Sequence, residues 1–265
     1  MTIPAGAAGA RPAGARPADA RPADARPAAA TATRGYRPAP EGTHPPLRFA
    51  AYRATGLRAP SLAPVVLRQR LTEITGPLLT GDIGPSDHDL TTQHAGEAIG
   101  QRIVVFGRVL DSDGRPVPET LVEVWQANSA GRYAHVRDSW PAPLDPNFTG
   151  GGRVVTDPAG HYSFTTIKPG AYPWGNHHNA WRPAHIHFSL FGRSFTQRLV
   201  TQMYFPDDPL FSQDPICNSV PDANARGRMV ATFDLDATCP ERALAFRFDI
   251  VLRGRERTPF EEPHA

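Results

Sequence analysis

The chain has 265 residues, of which 40% are hydrophobic and 20% are charged, and its formal net charge is only +2. This length allows one large domain or two small ones, and so weak a charge gives no argument for binding to nucleic acid or to a membrane surface. The 29 prolines and 23 glycines favour many turns and few long helices, which is typical of an all-β protein.

The sequence predicts neither a membrane span nor a secretory signal. No run of apolar residues approaches the roughly 18 that a membrane helix needs, and the N-terminus lacks a charged region followed by an apolar core. Cys217 and Cys239 are the only cysteines, and this sparse use fits a reducing compartment in which both thiols are free. We therefore expect a cytoplasmic protein.

Residues 1–35 form a tail that is rich in Pro, Ala and Arg. Between residues 9 and 30 a five-residue unit, Ala-Arg-Pro-Ala-Asp or a close variant of it, occurs four times over. A proline in every unit blocks helix continuation. The tail is therefore predicted to be disordered, with stretches of extended polyproline character.

Residues 36–95 are predicted to be an arm that packs on the core, because they contain too few apolar residues for a core of their own. A short helix is expected over residues 64–73. The most distinctive part of the arm is the segment FAAYRATGLRAP at residues 49–60, which contains Tyr52.

Residues 96–260 are predicted to form the core domain, a sandwich of two β-sheets built from short strands. The strand at 103–110, the turn Asp-Ser-Asp-Gly at 111–114 and the strand at 121–127 together resemble a β-hairpin. The strand at 245–252 alternates apolar and polar residues, so one of its faces should be buried. Further strands are expected at 153–156, 161–167, 184–191, 197–205 and 229–235.

The segment GAYPWGNHHNAWRPAHIHF at residues 170–188 carries the main candidates for chemistry. His185 and His187 lie two apart on a predicted strand, so both imidazoles point to the same side. Such a pair is either a pair of metal ligands or a structural pair. Tyr172 lies in a Pro-rich loop upstream, and Arg182 leads directly into the strand, which favours a metal pocket.

A second tyrosine, Tyr133, lies in the sequence Gly-Arg-Tyr-Ala-His. Alone it is typical of a half-buried residue whose hydroxyl makes a hydrogen bond. As a metal ligand it would have to be a phenolate, and a free phenol has a pKa of about 10, so a strongly acidic cation would be needed. Zinc prefers Cys and His, and calcium prefers carboxylate oxygen. Two tyrosines with two histidines therefore select iron(III).

The core resembles the intradiol ring-cleaving dioxygenases over more than half of the chain, and the arm extends the resemblance through YRATGLRAP. The string WRPAHIH with its upstream Tyr-Pro-Trp is the specific part. The matching motifs are VEVWQANSAGRYAH (122–135), APLDPNF (142–148), TIKPGAYPW (166–174), WRPAHIHF (181–188), TQMYFPDDP (201–209) and FDIVLRG (248–254).

The resemblance implies one non-haem Fe(III) per chain, with a solvent hydroxide as its fifth ligand. It further implies that a catecholic substrate displaces Tyr172 and the hydroxide, which take the two catechol protons. Arg182 would stabilise negative charge on the substrate ring. The implied metal ligands are Tyr133, Tyr172, His185 and His187.

The resemblance also implies that Trp174, Gln202 and Tyr52 bind the substrate. The Pro-rich N-terminus fits the protocatechuate-cleaving subtype, which gives 3-carboxy-cis,cis-muconate from protocatechuate and O2. In that subtype an alpha subunit joins the beta chain in a hetero-oligomer and supplies part of the pocket. The expected partners are thus an aromatic diol, O2 and an alpha subunit, without nucleic acid or membrane.

Several alternatives stay open at this point. Catechol and hydroxyquinol 1,2-dioxygenases share the core but carry a helical N-terminal dimerisation region. A zinc or iron(II) enzyme with a His-x-His pair would need a further ligand, and a facial-triad iron site needs a carboxylate, which residues 188–195 lack. A non-catalytic transthyretin-like binding module would explain GRVLDSDGRPVPETLVEVW at 107–125 but not the two Tyr and two His.

Overall fold

The protein, described by a computed structural model, consists mainly of β-strands. Its described helices have at most five residues, and none of them is long or apolar enough to cross a membrane. The predicted tail at 1–35 and all but one residue of the predicted helix at 64–73 lie outside the described residues. The described residues are 39–63, 65, 83–84, 86–191 and 199–259.

The first sheet is organised around β1 (Arg102–Leu110). β4 (His161–Ile167) pairs antiparallel with one edge of β1, whereas β10 (Ala243–Arg247) pairs parallel with the other edge. β11 (Ile250–Val251) continues along this second edge in the same register, and β9 (Thr232–Cys239) lies beyond β10. Alternate residues of β1 are buried, as expected for a strand with one face on the core.

The second sheet has four antiparallel strands in the spatial order β3, β2, β7, β8. A separate ribbon of two short strands, β5 and β6, precedes β7 in the chain and leads into it. The bounds of these strands are Leu121–Trp125 for β2, Gly151–Val155 for β3, Tyr172–Pro173 for β5, Trp181–Arg182 for β6, His185–Phe191 for β7 and Leu199–Tyr204 for β8.

The core lies between the two sheets. Phe188 of β7 has its ring centroid 5.9 Å from that of Phe164 on β4 and 5.2 Å from that of Phe248, which follows β10. All three side chains are at most 2% exposed and belong to one cluster with residues of both sheets. The predicted all-β sandwich of two sheets is therefore confirmed.

The predicted hairpin of β1 and β2 is wrong. The tight turn forms, since the Gly114 N–H donates to the Asp111 carbonyl at 3.1 Å, but β1 and β2 belong to different sheets. Pro116 and Pro118 follow the turn, and a proline cannot donate a ladder hydrogen bond. The chain consequently leaves β1 and crosses to the second sheet.

The predicted strand at 245–252 is interrupted between β10 and β11. The Asp249 carboxylate accepts a hydrogen bond from the Arg108 N–H at 2.9 Å, in place of a backbone partner. At the same point the Phe248 carbonyl comes so close to Gly107 that a Cβ at this position would overlap it. Gly107 is therefore required by the close approach of two backbones.

Gly107→Ala is expected to destabilise the protein by about 1–3 kcal/mol, because the added methyl group must push the Phe248 backbone away. Gly151→Ala is the matched control, since a Cβ at Gly151, also in a strand, would meet nothing within 4 Å. Urea denaturation of both variants measures the difference. Equal unfolding midpoints would contradict the steric argument.

The described parts of the arm contact the sandwich. Leu90 is fully buried in the core, and its N–H donates to the Thr165 carbonyl on β4 at 2.9 Å. Asp87 pairs with Arg153 of β3 at 2.9 Å. The described helices are α1 (Thr55–Arg58) in the arm, then α2 (Pro215–Asn218) and α3 (Ala223–Gly227), with a 3-10 helix at Phe211–Gln213 before α2.

Candidate metal centre

The two histidines predicted as metal ligands lie at the start of β7, and their rings are in contact. The ring centroids of His185 and His187 are 4.9 Å apart. Ile186 and Phe188, the alternate residues, are fully buried in the core between the sheets. The two imidazoles therefore share one strand face, as the alternation of a strand requires.

The two tyrosines come from different parts of the chain and meet these imidazoles. The Tyr172 hydroxyl on β5 lies 3.3 Å from Nε2 of His185. The Tyr133 ring packs edge-on against Tyr172, with centroids 5.4 Å apart, and its centroid is 6.4 Å from that of His187. The structure thus brings together all four side chains that were predicted as metal ligands.

Tyr133 is placed by the loop that follows β2. The Asn128 side-chain oxygen accepts hydrogen bonds from the backbone of Ala130 and Arg132 at 3.0 and 2.9 Å. The Asp138 carboxylate accepts one from the Tyr133 N–H at 2.8 Å. Gly131 has φ +76°, and a Cβ there would overlap the Ala171 carbonyl. The loop therefore holds Tyr133 beside the segment that carries Tyr172.

Both imidazoles are neutral near pH 7 in this arrangement. Burial, followed by the charge of Arg182 and by His187, lowers the pKa of His185 well below its usual range. Burial and Arg182 lower the pKa of His187 to about 3. Nδ1 of His185 lies 2.7 Å from the Pro183 carbonyl, and a carbonyl only accepts, so Nδ1 carries the proton and Nε2 keeps its lone pair.

The Tyr133 hydroxyl is buried and makes no hydrogen bond of good geometry with a described residue. Burial, and then the neighbouring Tyr172, raise the pKa of Tyr133 above its ordinary value. A buried polar atom without a partner is costly, and a strongly acidic cation would both pair it and deprotonate it. The orphaned oxygen therefore fits a metal ligand.

Histidine, cysteine and carboxylate side chains alone do not make a metal site in the described part of the chain. Among the described residues, no three His, Cys, Asp or Glu side chains converge in a way that would hold a metal ion. The two phenols are needed to bring the cluster to four donors. This mixed set of oxygen and nitrogen donors suits iron(III) better than zinc or calcium.

Arg182 is a buried cation beside this cluster. Its Nη2 lies 3.0 Å from the Asp214 carboxylate, in an ion pair whose two side chains are 4% and 0% exposed. The same nitrogen donates to the Gln202 side-chain oxygen and, at 3.1 Å, to the Tyr204 hydroxyl. Burial opposes the charge, but Tyr204 and Asp214 outweigh it and raise the pKa of Arg182. Arg182 is therefore permanently charged.

A pocket of about 680 Å³ opens beside the cluster. His187 and Arg182 line it, and so do all three residues predicted to bind substrate. The pocket extends from β7 and β8 to the arm, so the arm forms part of its wall. The predicted substrate-side residues in its lining are Trp174, Gln202 and Tyr52.

Sequence reasoning missed several residues that shape this site. Asp214 and Tyr204 complete the environment of Arg182, and Trp125 stacks on His187 with centroids 4.8 Å apart and planes within 3°. Trp125 lies opposite His187 in the pairing of β2 with β7, a register that sequence spacing does not give. By contrast the two neighbouring histidines, His177 and His178, are exposed loop residues outside the site.

The two cysteines do not form a disulfide. Cys217 is buried and Cys239 is exposed, and both are free thiols, so that prediction is confirmed. Burial, followed by Asp214, raises the pKa of the Cys217 thiol to about 12. A thiol with so high a pKa is not a reactive nucleophile.

Comparisons with known proteins agree with these observations. The family profile described as "Dioxygenase" matches residues 74–254, and the profile "Protocatechuate 3,4-dioxygenase beta subunit N terminal" matches residues 36–70. The protocatechuate 3,4-dioxygenase beta chain of Burkholderia cepacia is 57% identical over 222 residues, which cover 83% of this chain and 94% of that one.

More distant relatives agree as well. The protocatechuate 3,4-dioxygenase alpha chain of Burkholderia cepacia is 30% identical over 204 residues. These residues cover 73% of this chain and 97% of the alpha chain. The crystal structure of 3-chlorocatechol 1,2-dioxygenase from Rhodococcus opacus 1CP superimposes with a TM-score of 0.50 at 23% identity, over 66% of this chain and 69% of that one, which bears on the fold alone. From the profile match and the 57% identity together it follows that the chain belongs to the intradiol ring-cleaving dioxygenases, among the relatives of the protocatechuate 3,4-dioxygenase beta chains.

Proposed function

We propose that this chain is the iron-bearing beta subunit of a protocatechuate 3,4-dioxygenase. The reaction is the cleavage of protocatechuate by O2 between its two hydroxyl-bearing carbons, with 3-carboxy-cis,cis-muconate as the product. The observation that carries the proposal is the 57% identity to a beta chain of that name along nearly its whole length, arm included. The free thiols of Cys217 and Cys239 support a cytoplasmic location.

The convergence of two phenols and two neutral imidazoles supports a single non-haem ferric site. The orphaned Tyr133 hydroxyl and the Nε2 lone pair of His185 are the donors that such a site requires. When bound, ferric iron supplies the Lewis acidity that keeps phenols deprotonated and activates a catecholate toward O2. The proposed ligands are Tyr133, Tyr172, His185 and His187.

Tyr172 has a second role in this proposal, as the base for the substrate. With iron bound, the oxygen of Tyr172 would be a phenolate and would accept a proton from one hydroxyl of the incoming diol. Among the described residues, no carboxylate joins the four-ring cluster of Tyr133, Tyr172, His185 and His187. The Tyr172 phenolate is therefore the group that can act as the base. The partial exposure of Tyr172 leaves it room to move.

Arg182 stabilises the negative charge that develops on the ring during oxygenation. Its guanidinium is planar and always charged, and it lines the pocket from a buried position where electrostatic interactions are strong. Its centre lies 5.7 Å from the Trp174 ring. Trp174 therefore packs near the guanidinium, while Gln202 and Asp214 accept hydrogen bonds from it.

Trp174, Gln202 and Tyr52 bind the substrate ring in this proposal. A pocket of about 680 Å³ is larger than a single aromatic ring requires, so an alpha subunit has room to supply part of its wall. A beta chain that lacks this wall binds substrate weakly. We therefore expect the chain expressed alone to be poorly active.

The test uses the full chain purified with a co-expressed alpha chain. Protocatechuate, catechol and hydroxyquinol are supplied in parallel under air, while O2 uptake and the ring-opened product are followed. We expect kcat/KM for protocatechuate to exceed kcat/KM for catechol and for hydroxyquinol by at least about tenfold. A site that binds a substrate carboxylate rejects substrates that lack one. A preference for catechol or hydroxyquinol would contradict the substrate assignment.

Removal of the metal tests the proposed centre directly. Chelation under reducing conditions should abolish both turnover and the visible colour that tyrosinate bound to iron(III) produces. Added iron should restore both, whereas zinc should restore neither. A colourless complex that is active without iron would contradict the proposed ligand set.

A further inference from the structure

The Asn176 side chain forms hydrogen bonds with the backbone on both sides of Tyr52. Its side-chain oxygen accepts a hydrogen bond from the Arg53 N–H at 2.9 Å, and its side-chain nitrogen donates to the Ala51 carbonyl at 2.8 Å. The Arg53 guanidinium also donates to the Asn176 carbonyl at 3.1 Å. These bonds join residues more than 120 positions apart.

The arm shapes its own turn but depends on Asn176 for docking. The Thr55 hydroxyl oxygen accepts from the Phe49 N–H at 2.9 Å and lies 2.7 Å from the Tyr52 carbonyl, to which it can donate, so this turn is closed from within. Asn176 is 4% exposed, which means that its amide is committed to the arm instead of to solvent. The turn is thus one unit, and Asn176 is a clamp between it and the loop after β5.

The clamp fixes the relation between the arm and the pocket wall. The Tyr52 ring lies 5.5 Å from the Trp174 ring, and the Trp174 ring lies 5.7 Å from the Arg182 guanidinium. The Arg58 guanidinium also lies over the Tyr52 ring, 5.0 Å from its centroid. All four side chains line the pocket, whereas Asn176 itself does not.

We propose that Asn176 is a positioning residue that sets the affinity of the pocket for its substrate by holding Tyr52 over it. This inference rests on the proposed function, since it assumes that the aromatic diol enters this pocket. The hydrogen bonds that Asn176 makes with Ala51 and Arg53 reach neither the four-ring cluster nor Arg182. Its loss should weaken substrate binding and leave the chemical step intact.

Asn176→Ala, in the full chain with its alpha chain, should raise KM for protocatechuate about tenfold and leave kcat within about twofold, which is the pattern of lost uniform binding. The visible band should not change. His178→Ala is the control, because His178 is an exposed residue of the same loop and should behave as the wild type. A fall in kcat with KM unchanged would overturn the proposal.

A double-mutant cycle tests whether Asn176 acts through Tyr52. In a Tyr52→Ala background, Asn176→Ala should raise KM no further, because the side chain that it positions is already absent. Additive effects on KM would mean that Asn176 acts by another route, and this would overturn the inference. The carboxylate of Asn176→Asp still accepts from Arg53 but cannot donate to Ala51, so this variant should fall between wild type and Asn176→Ala.

Limited trypsin digestion gives a readout that needs no turnover. The bond after Arg53 lies inside the clamped turn, so Asn176→Ala should be cut there about tenfold faster than wild type, as expected for a segment that opens more often. Equal cleavage rates for wild type and Asn176→Ala would show that Asn176 does not hold the arm in place. Should the complex fail to oxidise protocatechuate at all, the proposed function fails, while the trypsin rates still decide whether Asn176 docks the arm.

Discussion

Tyr133→Phe is expected to abolish turnover while leaving the fold intact. The substitution removes only the hydroxyl, which is buried and makes no good hydrogen bond with a described residue, and keeps the ring that packs edge-on against Tyr172. In the metal-free protein the change should be neutral or slightly stabilising, since an unpaired buried polar atom disappears. Turnover should fall by at least about 10³-fold, because the several kcal/mol that a bound Lewis acid contributes are lost.

Tyr162→Phe is the matched control for this prediction. The Tyr162 hydroxyl is buried and donates to the Phe248 carbonyl in the core, away from the four rings. Its loss leaves that carbonyl unpaired and should cost about 1–3 kcal/mol of stability, with turnover at 25 °C preserved. Iron content, the visible band and thermal unfolding of both variants measure the contrast. A Tyr133→Phe protein with normal colour and turnover would remove Tyr133 from the ligand set.

Strand alternation is the part of the site that sequence alone predicts well. His185 and His187 share a face because Ile186 and Phe188 must be buried, and this follows from a period of two. The position of Tyr133 does not follow from any period. It depends on how Asn128 and Asp138 fold a loop after β2, and motif resemblance instead of spacing identified it.

The errors in the fold have the same origin, which is contact between distant residues. The predicted strand at 229–235 is observed as β9 at Thr232–Cys239, because Met229 and Ala231 bond to the backbone of Tyr204 on the second sheet. The chain then crosses to the first sheet. Hydrophobicity along the chain does not reveal which of two sheets a segment joins, and this ambiguity also produced the false hairpin of β1 and β2.

The acidic partner of Arg182 could not be predicted either. Asp214 lies 32 residues after Arg182 and precedes a proline, a context typical of a helix N-cap. It does cap α2, since its carboxylate accepts from the Ile216 N–H at 3.1 Å. The second oxygen faces Arg182 and Tyr204, and only the folded chain reveals this double use.

Asp214→Ala is expected to destabilise the protein by about 3–5 kcal/mol, because it leaves the buried Arg182 charge without its counter-ion. The variant also loses the cap of α2 and one acceptor of the Tyr204 hydroxyl. Asp113→Ala is the control, because Asp113 forms an exposed ion pair with Arg115. The Arg115 side chain is 75% exposed and the Asp113 side chain is 38% exposed. The effect of Asp113→Ala should stay within about 0.5 kcal/mol. Similar urea midpoints for the two variants would show that burial does not strengthen the Arg182 pair.

Two further variants separate an unpaired charge from lost contacts at Asp214. Asp214→Asn keeps an oxygen that accepts from Arg182 and should cost less, about 1.5–3 kcal/mol. The double change Arg182→Met with Asp214→Leu removes both charges and should recover at least about 2 kcal/mol relative to Asp214→Ala. The double variant should nevertheless be inactive, because no guanidinium remains beside the substrate ring. If it were less stable than Asp214→Ala, the cost at this site would arise from packing and capping, and the buried charge would not be its cause.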